Sequence, residues 1–316
     1  MTDEAGPPPL DLTRTPWSRH LDRIRARLAR DGRVDLLVRD PDADPGRWRG
    51  EAAEGTPPHL GMRDWIDLAE DLSARLRTPR PDVGPAPRTV RLTLERLGEE
   101  ADLHGRGPDR YAREGAFARV RKSALPGFRL PLLDALRFAR GDRADATTNE
   151  RVLVVGCHHG DELAVLEASE PPVHPRQVVG IDVRQDALAV ARERWPQAAF
   201  LQADAGDLPA DLGRFDLIVA IAILQSPELD GPAVLRSLVR DHAGPSGGLV
   251  IGLPASRFRD GEVLWGARTR NFTEPDLSLV VRDLAGHRRY LHQHGYRTRI
   301  GGRYDLLLAA RRAAAG

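Results

Sequence analysis

Three short segments in the second half of the sequence carry residues suited to ligand binding, and each ends or follows an apolar run. Gly156 and Gly160 bracket the turn in "VLVVGCHHG", where residues without a Cβ let a ligand approach the backbone closely. Asp182 ends the run "VVGID", and Asp204 ends "AAFLQAD". Asp182 lies 26 residues after Gly156, which is the length of one strand–helix–strand unit.

Each of these features has a simpler explanation when it is taken alone. Any open α/β fold needs a glycine turn after a strand, and Asp204 is a common turn residue. Asp182 could cap the helix that follows it, because a carboxylate at a helix N-terminus satisfies free amides. It is their order and spacing together that favour one binding site.

The elements that position these residues can be predicted from the pattern after residue 150. Short apolar runs such as "RVLVVG", "QVVGIDV", "FDLIVAIAIL" and "GGLVIGLP" are separated by segments of helical length. Apolar runs that do not alternate indicate parallel strands covered on both faces, and hence a doubly wound α/β fold. The last two runs, "YRTRIGG" and "YDLLLAA", are joined by too few residues for a crossover. They are predicted to form a hairpin, with one terminal strand antiparallel.

The sequence before residue 106 predicts a different kind of unit. Residues 1–14 are polar and rich in proline, and we expect a disordered tail. Residues 15–105 are predicted to form a helical unit, and residues 106–316 the α/β domain with its lead-in helices. Helices are predicted from residue 16 to Gly32, over "MRDWIDLAEDLSARL", and from Val90 to Leu97. Their apolar stripes favour a packing or dimerisation cap, including a homodimer, over a dedicated substrate domain.

Composition limits the kinds of partner and the compartment. The chain has 316 residues, a net charge of +1 and one cysteine, so charge gives no support to a nucleic-acid or membrane partner and no internal disulfide can form. The N-terminus lacks the apolar core of a signal peptide, and no apolar run reaches the roughly 20 residues of a membrane span. We therefore expect a cytoplasmic protein.

The order of these features resembles the class I S-adenosylmethionine-dependent methyltransferases, over residues 151–312. The resemblance implies a mostly parallel, seven-stranded, Rossmann-like sheet and S-adenosylmethionine as the cofactor. It places the methionine part of the cofactor on the glycine turn, the ribose hydroxyls on Asp182, the adenine amino group on Asp204, and the ring against the Ala205 amide. Ala220, in the fourth strand, would begin the wall beneath the sulfonium. The implied cofactor-binding residues are Gly156, His158, Gly160, Asp182, Val183, Asp204, Ala205 and Ala220.

Two positions in the first motif depart from the family's pattern. Val154 stands where the family usually has an acid, and His158 where it has a central glycine. Asp161 or Glu162, one turn later, could supply a replacement carboxylate. We expect His158 in the cofactor pocket, where it would bond the cofactor's carboxylate or ribose; the alternative is a side chain turned to solvent.

The remaining residues of this turn are expected to have structural roles. We expect His159 in solvent, Cys157 as a small buried hydrophobe, and no metal, because adjacent loop residues rarely converge on one ion. A nicotinamide site is disfavoured because "GCHHGDE" lacks the G-x-G-x-x-G fingerprint.

The methyl acceptor is expected to be a small molecule with a nucleophilic nitrogen or oxygen. Asp260 and Glu262, in the long connection after the fifth strand, are the candidate catalytic residues, since either could bind a cationic acceptor and remove its proton. Either could instead pair with neighbouring arginines. "SPELDG" lacks an N/D-P-P-Y signature, which disfavours methylation of DNA bases. Two alternatives stay open: an RNA or protein acceptor, and a methyltransferase-like binding subunit without catalysis.

Overall fold

The computed structural model describes twelve stretches of the chain. They are residues 7–43, 50–51, 56–72, 74–81, 88–96, 121–141, 150–226, 228–254, 258–259, 262–263, 277–302 and 305–313. The chain divides into two compact units, Met1–Ala101 with Phe258–Leu264 and Asp102–Arg257 with Trp265–Gly316. The predicted boundary between residues 105 and 106 falls outside the described stretches and stays a prediction.

The described part of the first unit contains a five-stranded sheet as well as two helices. Strand β5 pairs antiparallel with β2, β3 and β4, and β1 runs parallel to β2. These elements are β1 (Leu10–Asp11), α1 (Leu21–Asp31), β2 (Arg33–Arg39), α2 (Met62–Asp71), β3 (Ala74–Leu76), β4 (Arg80–Pro81) and β5 (Thr89–Arg96). The sequence predicts a helical unit; two of the predicted helices are present, but the described residues also form this sheet.

The third predicted helix is a strand because its burial has a period of two. Val90, Leu92 and Leu94 are all at most 9% exposed, and they pair in β5 with Val38, Leu36 and Val34 of β2. Alternating burial is the mark of a strand with one face on a core. Helix α1 begins at Leu21, later than predicted, and ends at Asp31 with Gly32 as its C-cap, close to the predicted end. Helix α2 ends at Asp71, before the predicted end of its helix.

The predicted disordered tail is also wrong over its described residues. Leu10 and Leu12 are 3% and 5% exposed, and Leu10 and Asp11 pair with Leu36 and Leu37 of β2. Burial of two leucines and the added strand pairing stabilise this segment against the entropy of a free tail.

The described part of the second unit is a doubly wound α/β domain, as predicted. Its helices are α3 (Pro126–Arg140), α4 (Asp161–Glu167), α5 (Gln185–Arg194), α6 (Gly231–Ser237) and α7 (Leu277–Gln293). Its strands are β6 (Val152–Val155), β7 (Val178–Asp182), β8 (Ala199–Gln202), β9 (Phe215–Ile221), β10 (Ala243–Pro254), β13 (Tyr296–Gly301) and β14 (Asp305–Arg312). Two further short strands, β11 (Phe258–Arg259) and β12 (Glu262–Val263), pair with each other and group with the first unit. Within the described ranges, no helix is long and apolar enough to cross a bilayer.

The seven strands follow the order β13-β14-β10-β9-β6-β7-β8. Strands β8, β7, β6, β9 and β10 are parallel, and β14 runs antiparallel to both β10 and β13. This confirms the predicted closing hairpin. Alternate residues of β6 bury into opposite layers: Val152 and Val154 pack in the cluster that includes residues of α3, and Leu153 and Val155 pack in the cluster that includes residues of α6 and α7.

Candidate cofactor site

The strand order reverses at β6, and this reversal determines where the candidate site lies. From β6 the chain proceeds to β7 and β8 on one side, and then returns to β9 on the other. Open α/β sheets bind ligands at such a reversal, outside the carboxyl ends of the strands. The glycine turn follows β6, Asp182 ends β7, Asp204 follows β8, and Ala222 follows β9, so all four lie at this edge.

The glycine turn can exist only with glycine at its two outer positions. Gly156 has φ +67°, and a Cβ there would overlap the Cδ1 atom of Ile223. Gly160 has φ +73°, and a Cβ there would lie 2.8 Å from Cδ1 of Trp195. Since L-residues rarely adopt these angles and neighbours occupy the space, both positions keep a bare backbone.

His158 takes a left-handed backbone conformation, which glycine adopts most readily. Its φ is +45°, in the left-handed region, and its amide donates a hydrogen bond of 2.9 Å to Oδ2 of Asp182. Histidine is one of the few residue types that enter this region with moderate strain. The substitution of histidine for glycine therefore leaves the turn intact and tied to β7. The side chain of His158 is half-buried.

The prediction that His159 lies in solvent is wrong. Its side chain is 3% exposed and stacks on the ring of His158, with the two ring centroids 3.8 Å apart. The carbonyl oxygen of His159 accepts a 2.7 Å hydrogen bond from Arg194, which holds the turn against α5. Neither ring nitrogen of His159 has a hydrogen-bond partner among the described residues. Burial, with smaller contributions from the charges of His158 and Arg194, lowers the pKa of His159 to about 4, so the ring is neutral at pH 7.

Asp182 is held by two backbone amides and keeps acceptor capacity. Oδ2 accepts from the His158 amide at 2.9 Å, and Oδ1 accepts from the Arg184 amide at 3.0 Å. An ionised carboxylate has about four lone-pair sites, so each oxygen retains one. The next residue, Val183, is 57% exposed although it is apolar.

Asp204 and Ala205 stand at the end of the neighbouring strand. Oδ1 of Asp204 accepts a 2.8 Å hydrogen bond from the Gly206 amide, which fixes the carboxylate over the turn. Asp204 is exposed and Ala205 half-buried. The amide of Ala205 donates no hydrogen bond to any residue in the described stretches. The Ala203 amide donates a 3.1 Å hydrogen bond to the Asp182 carbonyl oxygen, which links the ends of β7 and β8.

The two acids at the start of α4 have different surroundings. Oδ2 of Asp161 accepts from the Lys122 amide at 2.8 Å, and Oδ1 pairs with Arg194 at 2.9 Å. Glu162 is 7% exposed, and burial raises its pKa to about 7, against the opposing effects of Lys122 and its own amide. Asp161 is thus already engaged, whereas Glu162 is a buried acid close to half-protonated at neutral pH.

Cys157 is buried as predicted. It is 0% exposed, and burial together with Asp182 and Glu162 raises the pKa of the thiol well above its usual range. A neutral buried thiol is unsuited to nucleophilic chemistry.

The wall after β9 involves residues that the sequence did not single out. Ala220 lies inside the strand, 1% exposed, paired between Val155 of β6 and Ile251 of β10. Ala222, the first residue past the strand, is half-buried and has φ +59°, and its amide donates to the Gly252 carbonyl oxygen at 2.8 Å. Ile223 fills the space beside Gly156. Ala222 and Ile223 lie inside the apolar run "FDLIVAIAIL", so no sequence signal indicates that the strand ends at Ile221.

The described residues do not test the two candidate catalytic acids. Asp260 lies outside the described stretches. Glu262 is described only in its backbone, in β12, opposite Arg259.

Comparison with known proteins gives one family match, over residues 152–242, to a family described as a methyltransferase domain. No curated protein matches the chain. Similar solved structures include the magnesium protoporphyrin IX methyltransferase of Synechocystis with bound S-adenosylhomocysteine, at 16% identity over 59% of this chain and 84% of that chain, with a TM-score of 0.39. The plantazolicin methyltransferase in complex with S-adenosylhomocysteine has 15% identity over 59% and 84%, with a TM-score of 0.46. The N-methyltransferase NodS of Bradyrhizobium japonicum, also with S-adenosylhomocysteine, has 21% identity over 61% and 91%, with a TM-score of 0.39.

The family match covers β6 to β9, the part of the chain that carries the glycine turn, Asp182 and Asp204. The predicted parallel sheet with its antiparallel hairpin surrounds that region. Residues 152–242 therefore match a methyltransferase domain, and they lie within the predicted mostly parallel sheet with its closing hairpin.

Proposed function

We propose that the protein transfers the methyl group of S-adenosylmethionine to a nitrogen or oxygen atom of a small-molecule acceptor. The proposal is supported above all by the position of Asp182. Two backbone amides orient its carboxylate at the end of β7, beside the glycine turn. The net charge of +1 gives no extended positive field of the kind that polynucleotide binding uses, which favours a small acceptor.

Asp182 would hold the ribose of the cofactor. Each carboxylate oxygen has one remaining lone pair, and the two ribose hydroxyls are two donors. Hydrogen bonds to an ionised acceptor are stronger than those between neutral groups. The amides of His158 and Arg184 keep the carboxylate oriented before the cofactor arrives, so less order has to be imposed on binding.

The adenine of the cofactor would be held by three residues, Val183, Asp204 and Ala205. The exposed apolar side chain of Val183 offers a surface for the ring. The second oxygen of Asp204 and the unengaged amide of Ala205 offer an acceptor and a donor for the ring's polar edge. This set fits an adenine, which has an amino group beside a ring nitrogen.

Glu162 would supply the carboxylate that Val154 cannot. Both acids at the start of α4 were candidates, but Asp161 already accepts from Lys122 and Arg194. Glu162 is buried and its neighbours include Asp182. A buried carboxylate gains from a cationic partner, so we assign to it the α-amino group of the cofactor.

The cofactor, when bound, supplies a methyl group on a sulfonium that an acceptor displaces in line. The chain's own contribution is to position the groups and exclude water. Ala222 and Ile223 would form the apolar wall on the β9 side, where desolvation strengthens the interactions of a charged group. Asp260 or Glu262 remains our proposal for the base, needed only when the acceptor nucleophile arrives protonated.

Calorimetric titration with S-adenosylmethionine and with S-adenosylhomocysteine tests the cofactor site. We expect micromolar binding by the wild-type chain and a loss of about tenfold or more in Asp182→Asn, because a charge-assisted bond contributes roughly 1.5–3 kcal/mol. Asp134→Asn, which removes a surface carboxylate of α3 paired with Arg299, is the matched control and should bind as wild type. An unchanged affinity in folded Asp182→Asn would exclude the ribose assignment.

The acceptor class is tested by incubating the enzyme and labelled cofactor with metabolite extracts and, separately, with total RNA. Transfer into compounds of low molecular mass, unaffected by salt, supports the proposal. Transfer into RNA that falls steeply with salt would replace it, because phosphate contacts release counterions.

A further inference from the structure

The described part of the first unit contains a partly open cavity that the cofactor site does not use. Its volume is about 190 Å³, and all of its lining residues belong to the first unit. One wall is the segment from Leu12 to Ser18, a second is the end of β2, and a third is the segment 57–60 with Trp65 of α2. A buried apolar cavity of about 150 Å³ holds a benzene molecule, so this one has room for a ligand with one or two rings.

The walls of this cavity are flat and conformationally restricted. Trp17 and Trp65 contribute aromatic surface, and Pro16, Pro57 and Pro58 contribute rings whose backbone φ is fixed. Aromatic side chains pack favourably against other planar rings. A wall with little freedom in the empty protein loses little entropy when a ligand binds, which favours a rigid planar ligand.

Arg39 supplies a positive charge at the same cavity. It is half-buried, and its Nε donates to the Thr13 carbonyl oxygen at 3.1 Å, beside the first wall. Within the described stretches no carboxylate pairs with its guanidinium, while the adjacent Asp40 pairs with Arg88 at 3.5 Å. A guanidinium is well suited to bind a carboxylate through two parallel hydrogen bonds.

We propose that this cavity is a binding site for a small aromatic carboxylate. The ring lies on the tryptophan and proline walls, and the carboxylate binds the guanidinium of Arg39. The site is built from residues of the first unit alone, so it is separate from the residues assigned to the cofactor.

The test is a titration of the full chain with indole-3-carboxylate and benzoate, followed by tryptophan fluorescence and by calorimetry. We expect saturable binding that quenches Trp17 and Trp65, at least tenfold tighter than binding of the uncharged indole-3-carboxamide and benzamide. Arg39→Gln should weaken carboxylate binding about tenfold or more and leave amide binding unchanged. Arg33→Gln is the matched control, because Arg33 lies on the same strand, pairs with Asp35 and does not line the cavity.

Two results would overturn the proposal. One is the absence of saturable binding by any of the four compounds up to ~1 mM, the millimolar end of the affinity scale. The other is equal affinity of carboxylates and amides for the wild-type chain, a comparison that does not depend on whether Arg39→Gln folds. Asp182→Asn should bind indole-3-carboxylate as wild type does, so failure of the cofactor assignment and failure of this proposal are distinguishable.

Discussion

Glu162→Gln should change how the free energy of unfolding depends on pH, because it removes a buried acid that titrates near neutral pH. Burial raises the pKa of Glu162 from 4.5 to about 7 in the folded chain. The folded state therefore binds more protons than the unfolded state between these values, and its stability falls as pH rises through that window. The difference of about 2.5 between the two pKa values corresponds to about 3 kcal/mol, at about 1.4 kcal/mol for each pKa unit.

The substitution removes that titration while keeping the shape of the side chain. Relative to wild type, Glu162→Gln should gain about 3 kcal/mol in free energy of unfolding between pH 4.5 and pH 8, with nearly all of the gain above pH 5. Urea unfolding at several pH values measures this. Glu167→Gln, on the exposed face of the same helix, is the control and should show no such trend. Parallel curves for wild type and Glu162→Gln would refute the reasoning.

The same variant tests whether Glu162 binds the amino group of the cofactor. A cationic amino group favours the ionised carboxylate, so binding at pH 6–7 should release up to one proton. Below pH 7 the affinity should fall by up to tenfold for each pH unit. Calorimetry in two buffers of different ionisation enthalpy counts the proton, and Glu162→Gln should release none. 5′-Methylthioadenosine, which has no amino acid part, is the ligand control and should bind without this proton release.

Three other substitutions in the glycine turn have expected outcomes. His158→Gly should change stability by about 1 kcal/mol or less, because the backbone amide that bonds Asp182 remains. A loss of cofactor affinity beyond about tenfold by calorimetry would support the expected pocket position of His158, and a smaller loss would support a side chain turned to solvent. Gly156→Ala should cost about 2–5 kcal/mol in urea unfolding, from the left-handed φ and the overlap with Ile223, whereas Gly286→Ala in α7 has open space and should be neutral or stabilising. As pH falls from 6.5 to 4, the free energy of unfolding of His159→Phe should exceed that of wild type by an increasing amount, up to about 3 kcal/mol. The reason is that burial disfavours protonation of His159 in the folded chain. Equal acid sensitivity of the two proteins would contradict that burial.

The second unit could be predicted from the sequence because its strands are buried on both faces. Continuous apolar runs such as "RVLVVG" and "FDLIVAIAIL" allow few other structures, and the short link between the last two runs leaves only a hairpin. The topology alone then predicts that Asp182, which ends β7, and Asp204, just past β8, lie at the same edge of the sheet. The predicted fold of this unit was confirmed for these physical reasons.

The first unit could not be predicted in the same way, because its apolar residues fit two periods. In "TVRLTLERL", Val90, Leu94 and Leu97 are spaced for a helix, while Val90, Leu92 and Leu94 are spaced for a strand. The pairing with β2 decides between them, and that pairing is a contact between residues distant in sequence. The burial of His159 was missed for a similar reason. The turn that carries His159 is held by Arg194 of α5, which lies 35 residues further along the chain.

The division of roles between Asp161 and Glu162 likewise depends on contacts that sequence spacing does not contain. Both acids lie in the first turn of α4, where negative charge is favourable. The backbone amide of Lys122 and the guanidinium of Arg194 both bond Asp161, whereas Glu162 is buried and feels the charge of Lys122. The family's usual acid in the first strand has thus been replaced, in our proposal, by one that begins the following helix.

Glu162 and His159 also have opposite effects on how stability depends on pH. Between pH 4.5 and 6.5, lowering the pH stabilises the folded chain through Glu162 and destabilises it through His159, each by about 1.4 kcal/mol per pH unit. The wild-type protein should therefore show almost no slope from this pair in that window. Glu162→Gln should reveal the slope of His159, His159→Phe the slope of Glu162, and the double variant should again be flat. Four unfolding curves thus test both burial assignments together, and a sloping double variant would show that a further buried group titrates in this window.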